Sequence, residues 1–433
     1  MKKFFEFDKL GTNFRTETIA GLTTFLAMAY ILFVNPSMLA TEGTGMDRDA
    51  VFVATALAAA IGTLLMGLLA KYPIALAPGM GLNAFFTYTV VLGYGIPWET
   101  ALAGVLVSGL IFIVLTLSGV REKIINAIPP TLKLAVGAGI GLFIAFIGFQ
   151  NSGIIVADPA TMVALGDLTT GPTLLAVFGV IVTVILITLG IKGGVFYGMV
   201  ITAVVGMIFS QVPLPEAILA PVPDISPTFG AAFTHLGEVF TLQMLGVILT
   251  FLFVDFFDTA GTLVAVASKA GLMKDNKLPK AGRALFSDSA ATVVGATLGT
   301  STTTSYVESA TGVGAGGRSG FTAVVTAGLF ILALFFSPLL DVVTSAVTAP
   351  ALIIVGVMMA STLKDIPWNE FEIAVPAFLT VIMMPLAYSI ATGIAVGFIF
   401  YPLTMLAKGR VKEIGPIMWA LFIVFILYLA FLH

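Results

Sequence analysis

The sequence predicts an all-α polytopic membrane protein with about fourteen transmembrane segments in two inverted seven-segment repeats, and three observations carry that prediction. Apolar runs of roughly 17 to 25 residues recur from end to end, the length a helix needs to cross about 30 Å of hydrocarbon. Of the 433 residues, 58% are hydrophobic and 10% charged, less than half the roughly 25% of a soluble domain, so no water-soluble core could absorb them. Lys and Arg gather on alternate loops, following the bias of basic residues toward the cytoplasm. A transmembrane β-barrel would alternate every second residue, whereas 174–189 is apolar on every face.

Apolar runs punctuated by Gly, Pro and charge place the first seven segments near 17–37, 51–70, 80–92, 98–119, 132–149, 172–189 and 194–210. A polar, Pro-rich stretch over 211–238 follows, then seven more segments near 243–267, 284–299, 305–316, 320–336, 346–361, 371–386 and 389–407. The third and the tenth are conspicuously short. A further run, 416–432, is either an additional span or a helix lying on the membrane surface; Trp419 and Tyr428 suit an interface in both cases.

With the N-terminus inside, Lys71, Arg121, Lys123, Lys133, Lys192, the cluster Lys269 to Arg283, Arg318, Lys364 and Lys408 to Lys412 all fall on the cytoplasmic side, and only Arg48 falls outside. The stretch from Gln211 to Gln243 holds no Lys or Arg, as an outward-facing linker should. Seven being odd, the two halves run with opposite topology. Faint internal similarity agrees: Gly62 and Gly67 echo Gly295 and Gly299, and Gly194 and Gly198 echo Gly393 and Gly397. Short, Gly-interrupted segments at matching positions of inverted halves point to a transporter site near the bilayer midplane. The plainer alternative is small-residue packing between helices.

Several classes are excluded. A net charge of -3, with no basic run interleaved with aromatics, leaves nothing to track a phosphate backbone, so nucleic acid is not an expected partner. Cysteine is absent, and only His235 and His433 offer imidazole, which argues against disulfides, thiolate chemistry and a metal or redox centre; no cofactor is expected. Lys2, Lys3, Glu6, Asp8 and Lys9 do not make a cleavable signal, so the first helix is expected to stay in the protein.

The chemistry gathers around the two short segments. Ala77 to Asn83 contains Pro78, Gly79 and Gly81 and cannot start a regular helix at full depth. An extended stretch is expected there, leaving N–H groups free beside Asn83, with a helix N-terminus that suits acceptor atoms on a ligand. Its counterpart is Thr300 to Ser305 followed by Tyr306, Glu308, Ser309 and a Gly-rich run. Asp255 and Asp258 interrupt an otherwise apolar segment, three residues apart on one helix face. A carboxylate at the centre of a span costs at least about 2.5 kcal/mol, so such acids face a cavity and mark ion or substrate paths. Three acids without a cation in their own helices call for protons or a ligand's N–H groups, which disfavours an anion as cargo. A desolvated carboxyl beside a second acid holds its proton more tightly, so Asp255, Asp258 and Glu308 suit proton exchange, and H⁺ rather than Na⁺ is the expected coupling ion. Asp288 reads equally as a helix N-terminal acid pairing with Arg283 or as a functional group. Gln150 and Asn151 read as helix-end caps.

These residues resemble the AzgA-like branch of the nucleobase:cation symporter-2 superfamily, closest to bacterial guanine/hypoxanthine permeases. The resemblance runs through most of the chain and rests on Thr24 to Pro36, Ala77 to Asn83, Val254 to Thr262 and Thr300 to Gly320. It implies a core domain of segments 1–4 and 8–11 (1–119 and 243–338) and a gate domain of segments 5–7 and 12–14 (120–210 and 339–433), with 211–242 as an extracellular linker. Short strands would precede half-helices 3 and 10. It further implies that Asp258 and Glu308, with Asp255, Asn83, Gly81, Tyr306 and Ser309, hold the base, and that Asp258, Asp288 and Glu308 couple protons. Asp288 stands twenty residues before Glu308, as a functional aspartate does in related xanthine and urate carriers. Segment 8 of the uracil and xanthine members carries Glu where this chain has Asp258, a departure that points toward purines. A flat purine offers N–H donors to carboxylates, and Phe25, Phe85 or Tyr306 could supply a stacking face.

The expectation is therefore a multi-pass carrier of the cell membrane, with a cytoplasmic N-terminus, that imports hypoxanthine or guanine, with adenine as a further candidate, by proton symport and alternating access; relatives imply a homodimer. An anion carrier of the same inverted-repeat architecture is the rival within transport. An intramembrane aspartyl protease needs its acids on facing helices, and a channel would differ by not saturating.

Overall fold

The computed structural model describes residues 1–273 and 278–431. Lys274 and Lys277 of the basic cluster, and His433, lie outside the described residues. The fourteen expected segments are all present as Phe14–Leu39, Arg48–Ala70, Met80–Gly93, Trp98–Leu117, Pro130–Asn151, Gly171–Thr188, Gly194–Ile208, Leu242–Lys269, Ala281–Leu298, Ser309–Gly314, Gly320–Leu340, Ser345–Asp365, Phe371–Leu386 and Ile390–Ala407. They are called segments 1 to 14 below. Nine helices among the described residues are long and apolar enough to cross a membrane.

Local chemistry sets the ends. Asn13, Asp47, Thr241 and Ser389 each accept from a backbone N–H in the first turn of segments 1, 2, 8 and 14, at 3.0, 2.8, 3.1 and 3.2 Å, satisfying donors that a helix start leaves orphaned. Segment 11 is capped from a distance. Glu17, fully buried in segment 1, accepts from the Ser319 and Thr322 hydroxyls at 2.8 and 2.6 Å and from the Arg318, Ser319 and Thr322 amides. An anion at a helix N-terminus is favoured by the helix dipole, and here it also fastens segment 1 to segment 11.

Segments 1, 2, 4, 9 and 11 pack on one another, and segments 5, 6, 12, 13 and 14 pack on one another. Burial varies within each set: the spanning windows of segments 1 and 2 are 72% buried and that of segment 11 is 44%, while in the second set segment 5 is 67% and segment 6 is 28% buried. Glycines let helices cross closely in the second set. A Cβ on Gly198 would lie 2.1 Å from the Thr183 hydroxyl, and one on Gly397 would lie 1.8 Å from the Thr380 hydroxyl, so the predicted echo between the halves is a matched pair of Gly–Thr crossings. Gly67 and Gly299 are not equivalent. Gly67 meets the Gly320 carbonyl in a helix crossing, whereas Gly299, at φ 105°, ends segment 9.

Elements outside the fourteen segments include a short helix and a hairpin that were not expected, and the C-terminal helix that was. Val120–Ala127 forms a short helix between segments 4 and 5. Strands β2 (Ile155–Asp158) and β3 (Met162–Leu165) pair antiparallel as a hairpin between segments 5 and 6. Pro416–Phe431 is a helix packed on segment 14 with Met418, Leu421, Phe425 and Tyr428 buried.

Candidate substrate site

The two short segments meet through strands β1 (Leu76–Pro78) and β4 (Thr303–Ser305). They pair antiparallel with Ala77 opposite Thr304. The ladder extends by Gly79 N–H donating to the Thr302 carbonyl and Tyr306 N–H donating to the Ala75 carbonyl, both at 2.9 Å. Its edges are closed by hydroxyls. Thr63 of segment 2 donates to the Leu76 carbonyl at 3.0 Å and accepts from its amide at 2.9 Å, and Thr292 of segment 9 donates to the Thr303 carbonyl at 3.1 Å. The extended backbone was expected to leave N–H groups free; those of Leu76 and Gly79 are instead bonded within the protein, as non-helical backbone deep in a membrane protein requires.

Each strand feeds a half-helix. Gly79 lies where any side chain would crowd the Thr304 hydroxyl, 2.9 Å from an added Cβ, so the two half-helix starts approach closely. Thr304 donates to Asp258 of segment 8 at 3.2 Å, and the Tyr306 hydroxyl donates to the Pro78 carbonyl at 2.5 Å. Glu308, at the start of half-helix 10, accepts from the Tyr30 hydroxyl at 2.5 Å, where segment 1 is interrupted. Asp258, Tyr306 and Glu308 thus lie within electrostatic reach of one another.

Asn83, in half-helix 3, is 1% exposed, and neither its amide nitrogen nor its carbonyl oxygen has a hydrogen-bond partner among the described residues; the Thr87 hydroxyl one turn later is buried and unpartnered too. A buried carboxamide left unmade costs roughly 1–3 kcal/mol, a cost a folded chain retains where a ligand supplies the missing partners.

The remaining predicted residues are placed elsewhere. Asp255 and Asp288 form a second cluster, where Arg121 stands 3.1 Å from Asp288 and 4.0 Å from Asp255, and Thr259 bridges the two acids. Arg121 was expected in a cytoplasmic loop; it is fully buried, and it replaces Arg283 as the partner of Asp288. Ser309 accepts from the Ala75 amide at 3.0 Å and so braces the strand crossing. Gly81 faces segments 5 and 14, where an added Cβ would lie 2.5 Å from Ile140 and 3.7 Å from Ile390. Phe85 packs edge-on against Phe251 and Phe25 against Phe330, with centroids 5.1 and 5.2 Å apart. Asn151 donates to the Tyr88 hydroxyl at 3.2 Å. Sequence reasoning did not single out Tyr30, Thr259 or Arg121. Tyr30 lies within the resembling stretch Thr24 to Pro36, but nothing in the sequence marks Arg121 as buried. Among the described residues, no group of three or more His, Asp or Glu is placed to hold a metal.

Residues 15–396 match the family model described as "Permease family" (Xan_ur_permease). The chain is 67% identical to the guanine/hypoxanthine permease PbuG of Bacillus subtilis, covering 100% of both chains. It is 42% identical to the adenine permease AdeP of Escherichia coli, over 100% of this chain and 96% of that one. Among solved structures, the transmembrane domain of a cyanobacterial bicarbonate transporter, BicA, matches with TM-score 0.63 at 15% identity, covering 91% of this chain and 97% of that one. SLC26A9 matches with TM-score 0.65 at 10% identity, covering 94% and 66%. At such identities these two show the fold alone, that of inverted-repeat transporters. A match over most of the chain and over the full length of close relatives leaves one assignment: the chain belongs to the permease family, within the nucleobase:cation symporter-2 group that its motifs resemble.

Proposed function

We propose that this permease imports purine nucleobases across the cell membrane by proton symport, with its N-terminus in the cytoplasm. The names of its relatives support hypoxanthine, guanine and adenine as the substrate class. The observation that carries the reading is the unpartnered Asn83 carboxamide beside the strand crossing that presents Asp258 and Glu308. A purine edge offers both N–H donors and ring acceptors, which complement carboxylates and a carboxamide together. Among the described residues an anion finds no free cation there, because the buried one, Arg121, is already engaged by Asp288.

In this reading the core helices, 1–119 and 243–338, carry base and proton, and the gate helices, 120–210 and 339–433, form the surface they move against. Gly81, pressed against Ile140, marks that boundary. Protons are the coupling ion, with Asp258, Glu308 and the cluster built around Asp288 as the groups involved, and the functional unit is a homodimer joined through the gate helices.

Uptake of radiolabelled hypoxanthine into purine-transport-deficient cells, competed with unlabelled guanine, adenine, xanthine and uracil, tests the substrate class. Saturable uptake competed by purines and not by uracil supports it; no uptake, or equal competition by uracil, refutes it.

A further inference from the structure

We propose that Arg121, Asp288, Thr259 and Asp255 form a relay that carries one exchangeable proton on Asp255, with Arg121 as the positioning residue that fixes the count at one. The inference rests on the transport reading above but concerns a cluster separate from the base contacts.

The geometry counts the protons. The Arg121 guanidinium, on the short helix Val120–Ala127, lies 4.1 Å over the Phe112 ring and donates to the Leu285 carbonyl at 3.2 Å, to the Ser289 hydroxyl at 2.8 Å and to Asp288 at 3.1 Å. Asp288 also receives the Thr259 hydroxyl at 2.9 Å on its other oxygen. Thr259 Oγ1 stands 3.2 Å from Asp255 Oδ1 as well. A hydroxyl has one proton to give. Once it goes to Asp288, the contact with Asp255 is a hydrogen bond only if Asp255 is the donor, which requires Asp255 to carry a proton. Asp255 Oδ2 has no hydrogen-bond partner among the described residues, and Arg121 at 4.0 Å is beyond hydrogen-bond reach.

Charge counting agrees. Arg121 and Asp288 cancel, so an ionised Asp255 would be a second, uncompensated charge in a buried site, which is costly. The charged or titratable groups facing Asp255 are Arg121 from the short helix, Asp288 from segment 9 and Asp258 from its own helix. Asp258, bonded to Thr304, lies one turn along segment 8, so the proton on Asp255 and the base contact at Asp258 share one rigid element.

The full-length protein in liposomes tests this through hypoxanthine uptake against pH for wild type, Arg121→Gln, Asp288→Asn and the double variant. Arg121→Gln leaves two acids and no cation, so the pH profile should move alkaline by about one unit or more. Asp288→Asn leaves a free cation beside Asp255, so the profile should move acidic and gradient-driven accumulation should be lost. The double variant restores the wild-type charge count, and the profile should return toward wild type. Parallel loss in both single variants without opposite shifts, or a double variant no better than the worse single one, overturns the relay. Infrared difference spectroscopy reads the proton without transport: the amplitude of the buried protonated-carboxyl band should fall in Asp255→Asn, and an unchanged band there overturns the assignment. Failure of wild-type uptake with that band intact would sink the transport reading and leave the proton site standing.

Discussion

In the proposed site Asn83 is the residue at which stability and function should part. Its two polar side-chain atoms are buried without partners, so replacing it should relieve a cost of roughly 1–3 kcal/mol per unmade bond. Asn83→Ala is expected to hold or raise the melting temperature of the detergent-purified protein while lowering hypoxanthine uptake at least about tenfold, the pattern of a site built for a ligand. A fall in both would make Asn83 a packing residue. Tyr30→Phe removes the 2.5 Å bond to Glu308 and little else. A hydrogen bond to a charged partner contributes roughly 1.5–3 kcal/mol, so half-saturation should rise by about tenfold or more; unchanged kinetics would remove Tyr30 from the site. Asn83, Asp258 and Glu308 were legible because a polar group inside an apolar run stands out. Tyr30 was not, since a tyrosine in such a run looks like any packing aromatic. Arg121 was hidden for the opposite reason: Glu122 and Lys123 beside it give the stretch the look of a hydrated loop.

At the scale of elements, hydropathy placed all fourteen segments because helix ends in a bilayer are set by length and punctuation. The three-residue strands β1 and β4 carry no periodicity of their own: Pro78, Gly79 and Gly81 announced an extended stretch, and its being a strand came from the family resemblance; the β2–β3 hairpin, with no apolar alternation on its exposed faces, was not foreseen. The Gly–Thr crossings are testable. Gly397→Ala would press a methyl into the Thr380 hydroxyl; overpacking of this kind costs about 1–3 kcal/mol. The melting temperature should fall, and Thr380→Ala in the same chain should restore part of it; no change would show that the crossing yields. Past segment 14, Arg410 donates to Glu413 at 2.7 and 2.8 Å and to Glu370 at 2.6 Å. That bonding holds the Glu413 carboxyl below its ordinary value of 4.5. A depressed carboxylate stabilises above its ordinary value and loses that contribution as pH falls through the lowered one. Arg410→Gln should therefore lower the melting temperature slightly at pH 7, with the difference fading below about pH 4.

At the scale of the molecule, a shared fold with bicarbonate and SLC26 transporters at 10 to 15% identity shows how far cargo is set by a few side chains rather than by architecture. In the proposed site those side chains are an unpartnered carboxamide and acids at the crossing of two half-helices, with the one buried guanidinium described nearby already paired. The most direct test of a proton-coupled purine permease is hypoxanthine accumulation in liposomes under an imposed inward proton gradient, for wild type and Glu308→Gln. Accumulation above equilibrium that collapses with a protonophore and is lost in Glu308→Gln is the predicted result. Equilibration that ignores the gradient in the wild type would contradict it.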